Sequence, residues 1–337
     1  MSASLNHELI AYINATLEYF QVPAAVLTVV KGSETVISPW GTADTTGERP
    51  VTERTLFDTS TCTQAFITAT AALLVDDGRL AWDDPVQRHL PDFVLPDPWI
   101  SSQITIRDLL GQRLELTSRG KLTCLENLPD DIAITSFRER YAPLPPAFEA
   151  VTEIIARVSG HSFAEFIHDR LFAPLDMENT NIANGRVSTC GTDCALWLRL
   201  LLRRGFQDRT PLIKWSSMVE MQTPQCVATP DERRGQLMAG YGLGWHVSTY
   251  ANHRILFEEG HGGGVSAFHL LLSKENLGIA VHLGSSSPPA ARAITYRLLD
   301  AFLGRPIVDW APKFKTWEKE DEDTTSSQSS AVSEQPD

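Results

Sequence analysis

The fold is decided by residues 52–66, which read TERTLFDTSTCTQAF. They lead into an apolar, alanine-rich run over residues 66–75, and this run predicts a helix. Ser60 and Thr61 stand just before the helix, and Gln64 stands where its first turn begins. Ser60 is predicted to cap the helix, because a serine hydroxyl commonly accepts a hydrogen bond from a free N–H of the first turn.

The elements on either side of this segment follow an informative order. Apolar residues recur at helical spacing over residues 5–20, and two β-rich runs follow at 24–30 and 35–37. Three further helices are predicted in the middle of the chain, at residues 106–110, 151–158 and 198–202. The last part contains three strand-like runs and a helix, at residues 254–257, 267–272, 278–283 and 290–302. Strands at both ends with helices between them predict an α+β fold, in which one antiparallel sheet is built from both ends of the chain.

The sequence predicts one domain followed by a tail. The domain is expected over residues 1–312, with its sheet part at about 1–57 and 240–304 and its helical part at about 58–239. Residues 313–337 are rich in Ser, Thr, Glu and Asp. Because such a segment has little apolar surface to bury, it is predicted to be a disordered acidic tail.

The composition excludes several classes of protein. The chain has 337 residues, 42% of them hydrophobic, and a formal net charge of −13 from 29 basic and 42 acidic residues. It offers no basic track for nucleic acid or for an anionic membrane surface. No run approaches about 18 consecutive apolar residues, and no signal peptide is recognisable at the start. We therefore expect a cytoplasmic protein that binds a small molecule, and the sequence leaves its oligomeric state open.

The cysteines are predicted to be free thiols. They are Cys62, Cys124, Cys190, Cys194 and Cys226, an odd number in a chain without an export signal. Cys190 and Cys194 are spaced to share a helix face, as half of a metal site would be, but a second Cys or His pair at ligand spacing is missing. The sequence therefore predicts neither a metal nor a cofactor.

Residues 52–66 resemble the first motif region of the serine β-lactamase family, which also contains penicillin-binding proteins, class C-like esterases and transesterases. Other stretches match this family in the same order: LVDDGRL at 74–80, ITIRDLL at 104–110, LFAPLDM at 171–177, YGLGW at 241–245 and EGHGGG at 259–264. The resemblance covers about residues 5–304. It implies a β-lactamase/transpeptidase-like fold, with terminal helices flanking the sheet and an active cleft between the sheet and a helical subdomain.

Two catalytic groups of the family are replaced in the first motif. Members of the family attack an acyl group with the serine of S-x-x-K, and the lysine takes its proton. Alignment of residues 64–66 with the family's K-[AT]-F puts Thr61 at the nucleophile position and Gln64 at the position of the base. Glutamine has no proton that titrates near neutral pH, so it can orient a group but cannot act as a base.

The second motif of the family is a Y-x-N sequence that precedes a helix. In this chain the expected position falls on residues 143–145, which read PLP. Tyr141 lies two residues earlier and is the candidate phenol, with an ordinary surface or core tyrosine as the alternative.

The third motif of the family, H-x-G, matches His261-Gly262-Gly263. His261 is the candidate acid–base group because its ordinary pKa lies near neutrality, and a structural histidine is the alternative. The glycines are predicted to let a substrate lie against the strand edge. Gly264 and Thr61 are predicted to supply the two backbone N–H groups of an oxyanion hole.

Cys62 is a further candidate nucleophile. A thiol in the first turn of a helix has a lowered pKa, and His261 could pair with it. The alternative is a buried structural cysteine, because the residue after the family's nucleophile points into the helical subdomain.

Three functions remain open on the sequence alone. The favoured one is a repurposed enzyme in which Thr61, Gln64, Tyr141 and His261 bind and polarise a small carbonyl- or ester-bearing metabolite. Its reaction would be hydrolysis, acyl transfer, isomerisation or cyclisation, as in secondary-metabolite biosynthesis. The second is a catalytically inactive pseudoenzyme that binds a ligand or a protein partner. The third is a residual esterase that uses Thr61.

Overall fold

The computed structural model describes residues 5–44, 46–95, 98–113 and 146–332. The helices are α1 His7–Tyr19, α2 Thr63–Asp76, α3 Val86–His89, α4 Pro98–Gln103, α5 Ile106–Leu110, α6 Pro146–Ser159, α7 Phe163–Ile167, α8 Gly191–Leu202, α9 Trp215–Gln222, α10 Pro288–Phe302 and α11 Trp310–Val332. The strands are β1 Ala24–Lys31, β2 Glu34–Gly41, β3 Phe57–Asp58, β4 Asn181–Ala183, β5 Arg186–Thr189, β6 Phe206–Gln207, β7 Thr210–Pro211, β8 Cys226–Ala228, β9 Ala239–Tyr241, β10 His246–Tyr250, β11 His253–Gly262, β12 Val265–Leu272 and β13 Leu277–Leu283.

The main sheet has eight strands in the order β2-β1-β13-β12-β11-β10-β9-β8, and each pair of neighbours is antiparallel. Pairing of β1 with β13, for example Ala25 opposite Leu283, joins the two ends of the chain in one sheet. The remaining strands form two small sheets within the helical region. This arrangement confirms the predicted α+β fold, in which the helical region is inserted between the two halves of the sheet.

Two hydrophobic clusters cover the opposite faces of the sheet. One contains the terminal helices, with Ile13 of α1 and Ile294 of α10 packed against alternate residues of the strands. The other fills the helical region around α2, where the Phe66 ring stacks on Trp197 of α8 at 4.3 Å between ring centroids. Because alternate residues of a strand point to opposite faces, each central strand contributes to both clusters.

The sequence does not predict the three strands β8, β9 and β10. β8 and β9 have only three residues each, which is too short for an alternating pattern to be recognised. β10 reads HVSTY, and its polar residues hide the buried positions. Four of the predicted strands, β1, β11, β12 and β13, lie in the middle of the sheet, where β1 and β13 are rich in branched apolar residues, and the fifth, β2, forms an edge.

The predicted disordered tail is wrong at its start, because α11 begins at Trp310 and continues beyond residue 313. Trp310 and Phe314 are buried against the terminal-helix face of the sheet. The indole N–H of Trp310 donates to Asp300 of α10 at 2.8 Å. Trp317 adds an edge-on contact with Phe314. Aromatic residues at helical spacing therefore anchor the first turns of this acidic segment.

Replacing Trp310 with alanine tests this docking. The change removes a buried indole and leaves Asp300 without one of its donors, so we expect the free energy of unfolding to fall by about 3–5 kcal/mol. The measurement is urea denaturation. Trp99→Ala is the control: its side chain is 70% exposed, and a change of about 0.5 kcal/mol or less is expected. Equal effects of the two substitutions would contradict the docking of α11.

Candidate active site

The start of α2 is anchored to the helical region by threonine hydroxyls. A short 3-10 turn, Ser60–Cys62, leads into the helix. The hydroxyl of Thr59 donates to the Val187 carbonyl at 2.9 Å, and the hydroxyl of Thr63 accepts from the Val187 N–H at 3.0 Å. Because β5 holds the turn from both ends, Ser60 and Thr61 are presented toward the sheet.

β11 passes directly across this turn, and Gly260 is the point of closest approach. A Cβ atom at Gly260 would lie 2.6 Å from the backbone N of Thr61 and 2.8 Å from its Oγ1. No side chain fits at such distances, so glycine is required here by packing rather than by backbone conformation. This contact brings the inserted helical region and the C-terminal half of the sheet together at one place.

Both hydroxyls at the turn donate to backbone carbonyls of β11. Thr61 Oγ1 donates to the Glu259 carbonyl at 2.8 Å, and Ser60 Oγ donates to the His261 carbonyl at 3.0 Å. The prediction that Ser60 caps the helix is therefore wrong. Ser60 has a φ of 50°, in the left-handed region, and its N–H donates to Asp58 at 2.6 Å. A serine in this conformation is strained, which is frequent at functional sites.

Gln64 lies at the centre of a buried group of uncharged polar side chains. Its Oε1 accepts from the Tyr241 hydroxyl at 2.7 Å and from the Gln112 side-chain amide at 3.0 Å. Gln64 and Tyr241 are almost fully buried. Burial, together with the nearby Glu258 carboxyl, raises the pKa of Tyr241 well above its ordinary value. The phenol therefore stays protonated and acts as a donor to Gln64.

Glu258 extends this group onto β11. Its side chain is 2% exposed, and its Oε1 finds no hydrogen-bond partner in the described ranges. Burial raises the pKa of Glu258 well above its ordinary value, and hydrogen bonding with the Tyr241 side chain and with the His246 backbone opposes this only partly. Among the residues that the structure describes, no cation contacts the carboxyl. Burial without such a partner therefore favours the protonated form of Glu258 beside Tyr241.

Glu259 behaves in the opposite way because it points to the other face of the strand. It forms a bidentate pair with Arg292 of α10, at 2.6 and 2.7 Å. Burial alone would raise the pKa of Glu259, but the Arg292 guanidinium outweighs it and holds the pKa at about 2. Two adjacent glutamates of β11 thus have pKa values shifted in opposite directions, upward at the helix start and downward under α10.

The third-motif residues predicted from the sequence lie at the end of β11 and in the turn that follows. His261 is exposed. The alternation of the strand puts its side chain on the face of Glu259 rather than on the face of Glu258 and Gly260. Gly262 is the last residue of β11, and Gly263 and Gly264 form the turn before β12, all with positive φ. The backbone of His261, rather than its side chain, faces the helix start.

The other predicted site residues have mixed outcomes. Thr61 lies at the helix start against Glu259 of β11, and Gln64 lies in the first turn of α2 against Tyr241 of β9. Tyr141 lies outside the described residues. Cys62 is fully buried, and burial together with the carboxyl of Glu258 raises the pKa of its thiol well above its ordinary value. A thiol that resists ionisation is a poor nucleophile, so the suggestion of a catalytic Cys62 is contradicted.

The sequence reasoning did not find Glu258, Tyr241 or Gln112. Tyr241 belongs to the YGLGW match, and Glu258 stands two residues before the glycine that contacts the helix start. Alternate residues of a strand share a face, so in residues 256–260 Glu258 lies on the same face as Gly260. This alternation was the sequence signal that could have identified Glu258. Arg186, which pairs with Asp58 at 3.2 Å, is a further charged group beside the turn.

A family model for beta-lactamase matches residues 9–302, which is most of the chain. The chain belongs to the beta-lactamase family. Among the described helices, none combines the length and apolar character needed to cross a membrane.

Individual relatives extend this beta-lactamase assignment. The chain is 26% identical to an unguisins hydrolase, ungD', of Aspergillus campestris, over 97% of this chain and 70% of that protein. It is 21% identical to protein flp of Staphylococcus aureus over 80% of this chain, and it spans 61% of flp. A solved structure, the octameric penicillin-binding protein homologue from Pyrococcus abyssi, superposes with a TM-score of 0.71 at 20% identity, covering 88% of this chain and 77% of that one. The superposition shows the shared fold.

The protonation of Glu258 predicts an unusual dependence of stability on pH. Because the pKa of Glu258 is raised in the folded state, its contribution to stability is complete below the ordinary glutamate pKa. It is lost as pH rises toward the raised value. Over this window the wild type should lose up to about 1.4 kcal/mol per pH unit relative to Glu258→Gln. Urea denaturation at a series of pH values measures the difference.

Glu259→Gln is the matched control for this experiment. It leaves the guanidinium of Arg292 without its partner, so we expect a loss on the order of 3 kcal/mol at neutral pH. The stabilisation by Glu259 should disappear as pH falls toward 2, which is the opposite direction. If Glu258→Gln destabilised the protein at neutral pH as Glu259→Gln does, Glu258 would be ionised in the folded state.

Proposed function

We propose that the chain is a repurposed hydrolase of the beta-lactamase family that acts on a small carbonyl- or ester-bearing metabolite without forming an acyl-enzyme. The observation that supports this most is the buried, neutral Glu258 beside Gln64 and Tyr241. It supplies a proton donor where the Ser–Lys dyad is missing. An acid whose pKa is raised by burial is a recognised way to keep a proton available at neutral pH.

Two backbone N–H groups suit the oxyanion of such a reaction. In an antiparallel strand, the N–H and C=O of one residue point to the same edge. The His261 carbonyl accepts from Ser60, so the His261 N–H faces the helix start as well. The Thr61 N–H belongs to the first turn, where N–H groups have no partner within the helix. We infer that Thr61 and His261 form the pair, in place of Thr61 and Gly264.

Glu258 lies on the same strand face as Gly260, about 7 Å further along the strand. A carbonyl bound at the two N–H groups could therefore receive a proton from Glu258 at its leaving group. In hydrolysis, water oxygen adds to the carbonyl carbon, the leaving group takes the Glu258 proton, and the carboxylate takes the proton that the water releases. The acid is restored at the end, and no oxidant or reductant is needed.

The choice of hydrolysis rests on one relative. The similar Aspergillus campestris protein is named for the hydrolysis of unguisins, and it aligns over 97% of this chain. We extend to this chain only the reaction type, on an ester or amide of a small metabolite. Acyl transfer, isomerisation and cyclisation use the same polarised carbonyl and are the related possibilities. Secondary metabolism and a cytoplasmic location belong to the same proposal.

A pseudoenzyme is the second candidate, and a specific contact favours it. The hydroxyl of Thr61 already donates to the Glu259 carbonyl, and Gln64 cannot take a proton from it. A protein that only binds a ligand needs neither a free nucleophile at Thr61 nor a base at Gln64. The same contact weakens the third candidate, an esterase that uses Thr61, because its nucleophile would have no base.

Paired variants on β11 separate these candidates. The purified chain is incubated with short p-nitrophenyl esters, linear peptide amides and cyclic peptides, and products are measured by absorbance and mass spectrometry. For a substrate that is turned over, Glu258→Gln should lower kcat by about 10²–10⁴. His261→Ala, on the other face of the same strand, should change kcat little. A fluorophosphonate probe should leave the wild type unlabelled.

Other outcomes have clear meanings. Fluorophosphonate labelling at Thr61 or Ser60 would contradict the proposal and restore the esterase. Loss of turnover in His261→Ala with normal turnover in Glu258→Gln would return the acid–base role to His261. Binding of a panel compound without any product, seen as a raised thermal midpoint, would support the pseudoenzyme instead.

A further inference from the structure

Three potential metal ligands meet beneath the sheet face that carries the helix start. They are Cys194 of α8, His269 of β12 and His282 of β13, and all three are fully buried. Their ligand atoms lie within 4.8 Å of one another. The two Nε2 atoms are 2.8 Å apart, and the Cys194 Sγ is 3.9 Å from the Nε2 of His269. Each ligand comes from a different element of regular structure.

The spacing of these residues hides the cluster in the sequence. His269 is 75 positions from Cys194, and His282 is 13 positions from His269. The two histidines meet because β12 and β13 are neighbours in the sheet, and Cys194 meets them because α8 packs on both strands. The i, i+4 pair of Cys190 and Cys194, considered from sequence as half of a metal site, contributes only Cys194.

The two histidine rings approach each other through their Nε2 atoms. One neutral ring can donate its Nε2–H to the bare Nε2 of the other, which must then carry its hydrogen on Nδ1. Neither Nδ1 has a hydrogen-bond partner in the described part of the chain, so the rings leave outer nitrogens unsatisfied with or without an ion. The observation that points to an ion is therefore the convergence of the two Nε2 atoms and the Cys194 Sγ in a fully buried place.

We propose that Cys194, His269 and His282 bind a zinc ion that fixes α8 to the central strands. One thiolate and two imidazoles are ligands that zinc prefers. At ordinary bond lengths, a tetrahedral ion would hold its two nitrogens about 3.4 Å apart and nitrogen and sulfur about 3.6 Å apart. Reaching this geometry requires the two Nε2 atoms to separate by about 0.6 Å. The Cys194 sulfur must approach the Nε2 of His269 by about 0.3 Å and the ligand nitrogen of His282 by about 1.2 Å at most. Binding replaces the Cys194 thiol proton, which is released to solvent.

The affinity for the ion depends on the fourth metal ligand and on the hydrogen bonds made by the ligand side chains. The cluster supplies three ligands, so the fourth position of a tetrahedral ion is left for a water molecule. The Nδ1 atoms of both ligand rings lack acceptors among the residues described. Loss of such outer contacts typically weakens metal binding by about 10–100-fold, so we expect an ion that a strong chelator removes.

Metal loading of the full chain tests the proposal. Protein stripped with EDTA is refilled with Zn²⁺ or Co²⁺, excess ion is removed, and bound metal is measured by plasma emission. We expect one ion per chain, a thiolate-to-cobalt charge-transfer band, and a higher thermal midpoint with Zn²⁺. Cys194→Ser should abolish the band and the shift. Cys190→Ser is the matched control, because Cys190 is equally buried but contacts Thr192 instead, and it should keep both.

Several results would overturn the site. Substoichiometric metal in folded wild type, or bound cobalt without a thiolate band, excludes coordination by Cys194. A band that survives in Cys194→Ser and disappears in Cys190→Ser or Cys226→Ser places the metal elsewhere. Should Cys194→Ser fail to fold, the wild-type stoichiometry and band, together with His282→Gln, decide the matter in the same way.

Discussion

The contact between Gly260 and the turn at Thr61 is the constraint on which the functional region depends. The inserted helical region and the C-terminal half of the sheet touch there with no room for a side chain. Hydrogen bonds from Ser60 and Thr61 to carbonyls of β11 fix the turn relative to the strand. The register of that contact determines which residues of β11 face Gln64 and which face the terminal helices.

The environments of Glu258 and Glu259, and hence the direction of each pKa shift, follow from this register. Glu258 faces Gln64 and Tyr241, where no described residue brings a cation to it, and burial raises the pKa of its carboxyl. One residue later, Glu259 faces Arg292 and is ionised. A lysine at position 64 would place a charge beside the Glu258 carboxyl. The uncharged amide of Gln64 is instead compatible with a protonated Glu258, which is the state that the proposed reaction requires.

Sequence reasoning recovered the fold where an element is apolar, even when it is short. The helix α5 has the predicted bounds, Ile106–Leu110, and the Thr105 side chain caps its start. The start of α11 was missed because the many acidic residues of this segment predict disorder. The helical spacing of Trp310, Phe314 and Trp317 is the signal for the helix that forms there.

At the candidate site, the sequence placed Thr61 and Gln64 beside the strand but could not select the strand residues that face them. A one-residue change of register exchanges the two faces of a strand. The motif match at His261-Gly262-Gly263 carries no information about which face His261 occupies. Glu258 and Tyr241 become recognisable only when β9, β11 and α2 are assembled, because their partners are distant in sequence.

The protonation state of Glu258 can be measured directly. Infrared difference spectra between the wild type and Glu258→Gln, recorded at neutral pH, report the carboxyl that the substitution removes. A neutral Glu258 predicts that the carbonyl stretch of a protonated carboxylic acid is present in the wild type and missing in the variant. Loss of carboxylate stretches, with no change in the protonated-acid region, would show an ionised Glu258 and contradict the site proposed for this chain.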